Sequence, residues 1–153
     1  MLSHVNKSGK VVMINVNNKS QTVRKAIAQC EIKVPNIIYN AVLSNNIKKG
    51  DVITTSRLAG IMGTKKTSDI IPMCHQINLD YISVDIISNK KNYFTITSNV
   101  ETNSKTGVEM EALSAVNIAS LTFYDMCKAL SKNIIIKNIR LIEKTGGKSD
   151  FKN

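Results

Sequence analysis

The chain has 153 residues, of which 42% are hydrophobic and 21% are charged, a composition that fits a globular domain and excludes a disordered chain. No apolar run suits a signal peptide or a membrane span, so we expect a cytoplasmic protein with a single domain over residues 1–153. The formal net charge of +10 predicts attraction to anions.

Two classes of anionic partner fit this charge. The lysines are scattered, aromatic residues make up only 5%, and tryptophan is absent, so no basic run is interleaved with rings that stack on bases. A small polyanionic substrate such as a nucleotide fits at least as well, and a basic nucleic-acid-binding α+β module stays open as the alternative. The widely spaced Cys30, Cys74 and Cys127 indicate neither a disulfide framework nor a zinc site.

Hydrophobic periodicity and turn residues predict eight elements along the chain. They are, in order, a strand at 11–16, a strand at 23–34, a helix at 36–43, a helix at 54–66, strands at 81–87 and 93–101, a helix at 108–131 and a strand at 134–142. Pro35 suits the start of the first helix, and the polar residues 88–92 suit a hairpin turn. This order predicts an α+β fold with helices on one face of a mainly antiparallel sheet.

Two glycines, Gly60 and Gly63, fall inside the second predicted helix, where each costs about 1 kcal/mol against alanine. Close approach of another backbone or of a ligand would explain them, and an irregular segment is the alternative. Pro72 then ends the helical stretch and leaves Cys74 and His75 in a loop. His75 is there either a general acid/base, a phosphate ligand or a structural histidine.

The long helix at 108–131 carries carboxylates at both ends. Glu111 lies in its first turn, where the helix dipole stabilises negative charge, but Asp125 lies near the other end, where the dipole does not. Asp125 therefore needs a cation, and Lys128, three residues on, can supply one. The pair is either a surface ion pair or, because Met126 and Cys127 suggest partial burial, a tuned acid/base pair.

Helix geometry separates these two carboxylates. Fourteen positions place Glu111 and Asp125 on one face to within about 40° but about 21 Å apart along the axis. One compact site can hardly use both from a single copy of the helix. We therefore expect, if both serve catalysis, a site that straddles a subunit interface.

Basic residues recur at turns and element ends. Each one is solvated in the simplest interpretation, but around one cleft they would hold a triphosphate through charge-assisted hydrogen bonds. The set comprises Arg24, Lys49, Arg57, Lys65, Lys66, Lys105, Lys144 and Lys148.

Six longer motifs follow one another along the chain. They are Lys49-Gly50-Asp51-Val52, Arg57-Leu58-Ala59-Gly60-Ile61, Ile71-Pro72-Met73-Cys74-His75, Lys105-Thr106-Gly107-Val108-Glu109-Met110-Glu111-Ala112-Leu113, Tyr124-Asp125-Met126-Cys127-Lys128-Ala129 and Gly146-Gly147-Lys148-Ser149. Together they resemble the cyclic pyranopterin monophosphate synthases, the MoaC family of molybdenum cofactor biosynthesis. The resemblance covers about residues 12–152, and we expect residues 1–10 to be flexible.

The resemblance implies a ferredoxin-like α+β fold and a homohexamer, a trimer of dimers with sites at subunit interfaces. It also implies a lyase reaction that converts (8S)-3',8-cyclo-7,8-dihydroguanosine 5'-triphosphate to cyclic pyranopterin monophosphate and releases pyrophosphate. No cofactor is implied, apart from Mg²⁺ as an optional companion of the triphosphate, and neither nucleic acid nor a membrane is an implied partner.

Residue roles are likewise what the resemblance implies. Asp125 matches the catalytic acid/base, Lys128 works beside it, and Lys49 and His75 match further active-site positions. The substrate-binding positions are matched by Met73, Cys74, His75, Glu109, Met110 and Glu111. Basic positions around the phosphates are matched by Arg24, Lys65 and Lys144. No residue is implied to bind a resident metal.

Overall fold

The computed structural model describes Val5 and residues 8–153 as an antiparallel sheet with helices against one face. The elements are β1 (Thr22–Lys33), α1 (Asn36–Leu43), α2 (Val52–Lys65), α3 (Thr67–Ile70), β2 (Tyr81–Lys90), β3 (Tyr93–Ser104), α4 (Glu109–Cys127), β4 (Ile135–Thr145) and β5 (Phe151–Lys152). The sheet order is β2-β3-β1-β4-β5. This arrangement confirms the predicted α+β, ferredoxin-like fold. Within the described residues, none of the helices is both long and apolar enough to cross a bilayer.

The core lies between the sheet and the pair α2 and α4. In β1 every second side chain, from Ala26 to Ile32, is fully buried, which is the alternation that predicted this strand. The rings of Phe94 on β3 and Phe123 on α4 lie 5.0 Å apart, and so tie the long helix to the centre of the sheet. The sheet therefore fixes the position of α4, and with it both ends of that helix.

The two helix glycines mark close contact between α2 and α4. A Cβ at Gly60 would lie 2.9 Å from the carbonyl oxygen of Ala115, and one at Gly63 would lie 2.7 Å from Cγ1 of Ile118. Approach of another backbone explains Gly60, and approach of a side chain on that helix explains Gly63. The alternative of an irregular segment is wrong, because both glycines lie inside α2.

The first predicted strand, at residues 11–16, is wrong. In the described part of the chain, Val11 makes one isolated bridge to Val5, and residues 12–16 form no regular structure. Tertiary contacts hold this segment instead, because His75 contacts the Ile14 carbonyl and Lys105 donates to the Asn17 carbonyl. The expected flexibility of residues 1–10 stays a prediction, since residues 1–4, 6 and 7 lie outside the described residues.

Several predicted boundaries shift for local reasons. Helix α2 begins at Val52, two residues early, because Asp51 caps it and accepts from the Thr54 amide at 3.0 Å. Helix α4 ends at Cys127 rather than at 131, and β4 continues to Thr145. The short elements α3 and β5 were not predicted at all.

Candidate active site

Asp125 lies at the C-terminal end of α4 between two ammonium groups. Its Oδ1 is 2.7 Å from Nζ of Lys128, and its Oδ2 is 2.7 Å from Nζ of Lys49. Lys49 comes from the turn before α2 and also donates to the carbonyl oxygen of Asp125 at 2.9 Å. The structure thus brings together three of the four residues to which the resemblance gives catalytic roles.

The contacts in this cluster fix its charge. Hydrogen bonds from Lys128 and Lys49 lower the pKa of the Asp125 carboxyl from 3.8 to about 2. The hydrogen bond to Asp125 in turn raises the pKa of Lys128. At neutral pH one carboxylate therefore bridges two cations, and the cluster carries a net positive charge.

The expectation that Asp125 and Lys128 are partly buried is wrong for the protomer. Their side chains are 54% and 49% exposed, and that of Lys49 is 47% exposed. The neighbours in sequence, Met126 and Cys127, point into the core instead, with 6% and 0% exposure. Residues adjacent along a helix point about 100° apart, so buried neighbours do not bury Asp125.

A second group of side chains surrounds two adjoining cavities at the opposite end of α4. The larger cavity, of about 410 Å³, is lined by Lys65, by apolar residues after the Cys74-His75 loop, and by His75 and Glu111. The smaller cavity, of about 150 Å³, shares His75 and Glu111. All six predicted substrate-binding residues of the two motifs line one or both cavities: Met73, Cys74, His75, Glu109, Met110 and Glu111.

Glu111 is a buried carboxyl at the junction of these cavities. Its residue is 5% exposed, and burial raises the pKa of the carboxyl, with a further increase from the charge of Glu109. Burial also raises the pKa of the Cys74 thiol, and the nearby Glu111 carboxylate raises it further by a smaller amount. The environment thus favours the neutral forms of both groups and suits them to contact an uncharged ring.

His75 is held by the segment before β1. Its Nε2 lies 2.8 Å from the carbonyl oxygen of Ile14. A carbonyl only accepts hydrogen bonds, so Nε2 carries the hydrogen, and in neutral His75 the other nitrogen, Nδ1, is an acceptor. His75 therefore presents a defined tautomer to the pocket.

The predicted cations do not all gather around one cleft. Lys65 lines the larger cavity, and Lys144 lies 3.2 Å from the Glu109 carboxylate beside the smaller one. Arg24 donates from Nε to the Ser104 carbonyl at 3.0 Å and from Nη2 to the Lys105 carbonyl at 3.3 Å. Arg57 lies 3.7 Å from Asp85 and Lys66 lies 3.2 Å from Asp69, and neither side chain lines the two cavities around Glu111.

The comparisons with known proteins agree with these motifs. The MoaC family model matches residues 13–147. The chain belongs to the MoaC family. A relative from Lysinibacillus sphaericus, named cyclic pyranopterin monophosphate synthase, is 50% identical over 155 residues, which cover 96% of this chain and 94% of that protein.

Other members of the MoaC family show how widely the match extends. A Nostoc protein with the same name is 45% identical and covers 97% of this chain and 89% of its own length. Molybdenum cofactor biosynthesis protein 1 of Drosophila melanogaster is 44% identical over 98% of this chain, which corresponds to 27% of that longer protein.

The sequence of this MoaC family member gave no signal for several lining residues. Ile14, Val16 and Lys19 line the smaller cavity although they lie far from the other motifs in sequence. The strand predicted over residues 11–16 would place Ile14 and Val16 on a sheet face rather than at a cavity, and Lys19 lies outside that strand. Lys19 is one of many lysines in this basic chain, so its residue type alone gives no indication that it lines a cavity.

Proposed function

We propose that the chain is a cyclic pyranopterin monophosphate synthase of molybdenum cofactor biosynthesis. It acts as a lyase on (8S)-3',8-cyclo-7,8-dihydroguanosine 5'-triphosphate and releases cyclic pyranopterin monophosphate and pyrophosphate. Family membership and the names of the relatives support the reaction. They lend no support to the alternative of a nucleic-acid-binding module. The observation that carries the proposal is the carboxylate of Asp125 held at 2.7 Å from both Lys49 and Lys128.

The proposed site joins two protomers in a homohexamer, a trimer of dimers. The Asp125 cluster and the Glu111 cavities lie at opposite ends of α4, about 21 Å apart along an ideal helix axis. A nucleotide-sized substrate cannot react at both ends of one helix at once. The cavities of one protomer and the Asp125 cluster of a neighbour would together make one complete site.

The electrostatics of the cluster also favour a covering subunit. A general base works best when its pKa lies near the working pH, and a carboxyl with a pKa of about 2 is far below it. Burial under a neighbour and a substrate would raise the pKa of Asp125 and lower that of Lys128. The exposed cluster of the protomer would thereby become a pair able to exchange protons near neutral pH.

The cavity residues supply binding and orientation. A cavity of about 410 Å³ falls within the range of small-molecule sites, about 300–1,000 Å³. The buried Glu111 carboxyl, when protonated, can donate a hydrogen bond to a ring carbonyl or ring nitrogen, and Nδ1 of His75, when it carries no hydrogen, can accept one from a substrate hydroxyl or ring N–H. Lys65 places a positive charge in the cavity, which would stabilise negative charge that develops on the phosphates during the reaction. The proposed reaction needs no cofactor, and Mg²⁺ would serve only as an optional counterion of the triphosphate. We also propose a cytoplasmic location, which suits a nucleotide substrate.

The direct test supplies the cyclised dihydro-GTP to the purified full chain and follows pyrophosphate and pterin formation together. Asp125→Asn and Lys128→Met are expected to lose at least about 10²-fold in kcat, the usual contribution of a general acid/base, while they keep fold and assembly. Asp69→Asn is the matched control, since it also removes one carboxylate of an i,i+3 surface pair. Full turnover by the two cluster variants, or DNA binding with a steep salt dependence and no turnover, would contradict the proposal.

A further inference from the structure

Lys49 reaches the end of α4 from a short turn that precedes α2. The amide of Gly50 donates to the Ile47 carbonyl at 2.9 Å, which closes a four-residue turn with Lys49 at its third position. Gly50 has a φ of +101°, in the left-handed region that favours glycine. Ile47 packs against the core before the turn, and Val52 is 2% exposed after it. The turn that carries Lys49 is therefore anchored on both sides.

Asp51 joins this turn to the helix. Its Oδ1 accepts the Thr54 amide at 3.0 Å, and its Oδ2 accepts the Thr54 hydroxyl at 2.6 Å. Its backbone carbonyl accepts the Thr55 amide at 3.1 Å and the Thr55 hydroxyl at 2.6 Å. The hydrogen bonds from Thr54 lower the pKa of the Asp51 carboxyl, so the cap is charged at neutral pH. Four hydrogen bonds thus fix the residue that lies two positions after Lys49.

The ammonium group of Lys49 binds Asp125 at two atoms. Its Nζ lies 2.7 Å from Oδ2 and 2.9 Å from the backbone carbonyl oxygen of that residue. This carbonyl lies in the last turn of α4, where carbonyls lack partners within the helix and the dipole favours a cation. The Lys49 side chain is nevertheless 47% exposed, so packing holds it only in part. The position of its ammonium group therefore depends on where the turn places its Cα.

We propose that Asp51 is a positioning residue of the active site and acts through Lys49. The cap fixes the turn, the turn fixes the Cα of Lys49, and Lys49 then meets the Asp125 carboxylate. Without the cap, the first turn of α2 would fray, and Lys49 would reach Asp125 in only part of the molecules. The inference rests on the proposed function, from which the role of Lys49 in turnover comes.

The first test measures steady-state kinetics of the full chain with the cyclised dihydro-GTP. Asp51→Ala is expected to lower kcat about tenfold or more with KM within about twofold, because a small misplacement of an active group costs up to about 10²-fold in rate. Asp51→Asn keeps a capping oxygen and is expected to retain most of the wild-type kcat. Met62→Gly destabilises the same helix at a residue that is 68% exposed, and is expected to leave kcat unchanged.

Double-mutant cycles separate action through Lys49 from an ordinary loss of stability. In a Lys49→Met background, Asp51→Ala is expected to lower kcat no further. The urea midpoint at pH 6 reports the same coupling without turnover. Asp125→Asn is expected to lower this midpoint less in the Asp51→Ala background than in wild type, because one of the two ion pairs of Asp125 is already weakened there. In the Met62→Gly background Asp125→Asn is expected to have its full effect.

The outcomes distinguish this inference from the proposed function. A slow Lys49→Met beside an Asp51→Ala with wild-type kcat would overturn the positioning role and leave the function intact. Additive effects of Asp51→Ala and Asp125→Asn on the urea midpoint would also overturn the positioning role. Coupled effects on the midpoint, in a chain that never converts the cyclised nucleotide, would support the link from Asp51 to Lys49 and overturn the function.

Discussion

Asp125 and Lys49 meet at 2.7 Å although 76 positions separate them in the sequence. The tertiary structure thus adds a second cation to the local pair that Asp125 makes with Lys128. One carboxylate neutralises repulsion between two ammonium groups, so its loss affects both lysines at once. The cluster behaves as a unit in which no member can be changed without altering the others.

The first prediction concerns stability in acid. The folded pKa of Asp125, about 2, lies below its ordinary value of 3.8, so the carboxylate stabilises the fold above about pH 4. That contribution is lost as pH falls from the ordinary value through the folded one. Asp125→Asn is therefore expected to lower the urea midpoint at pH 6, with a smaller difference from wild type at pH 3. A difference that is constant across this range would show that the ion pairs do not stabilise the protein.

For Glu111 we predict the opposite dependence of stability on pH, because burial raises the pKa of its carboxyl in the folded state above the ordinary 4.5. The folded state then binds the proton more tightly than the unfolded state, so stability falls as pH rises through the raised value. Glu111→Gln is expected to increase the urea midpoint at pH 8 relative to wild type and to leave it unchanged at pH 4. Glu101→Gln, at a half-exposed carboxylate, is the control for loss of one negative charge. Equal effects of the two substitutions at both pH values would refute burial as the cause.

Close packing of α2 on α4 gives the third prediction. Gly63→Ala would gain about 1 kcal/mol of helix propensity, but the new Cβ would lie 2.7 Å from Cγ1 of Ile118. Overpacking of this kind costs about 1–3 kcal/mol, so we expect a net loss in free energy of unfolding. Urea denaturation measures it, with Leu58→Ala on the exposed side of α2 as a control expected to change stability little. A stabilised Gly63→Ala would mean that the helices can separate without cost.

The sequence sufficed where local chemistry decides the structure. The bounds of α1, the alternation of β1 and the pairing of Asp125 with Lys128 all follow from residues within a few positions of one another. The exposure of Asp125 could also have been predicted from the sequence. Ala115, Ala119 and Met126 lie on the buried arc of α4, and Asp125 falls outside that arc by helical periodicity.

Long-range contacts account for what the sequence did not reveal. The segment around Ile14 has the composition of a strand, yet it is held by a histidine 61 positions away. Lys19 likewise acquires its place in the smaller cavity only through the path of that segment. No pattern of propensity or spacing encodes such contacts, because they depend on where the Cys74-His75 loop lies after folding.

The last prediction tests whether the proposed site is shared between subunits. Asp125→Asn removes a carboxylate at the C-terminal end of α4, and His75→Ala removes a loop side chain that lines the cavities near the other end of that helix. Each variant alone is expected to be almost inactive. In oligomers assembled from equal amounts of both chains, a site made from two protomers would be intact in roughly one quarter of random pairings. Activity of the mixture, measured after the subunits are dissociated and reassembled together, should therefore rise well above that of either variant. If both residues served a site within one protomer, every site in the mixture would lack one of them, and the mixture would stay as inactive as its components.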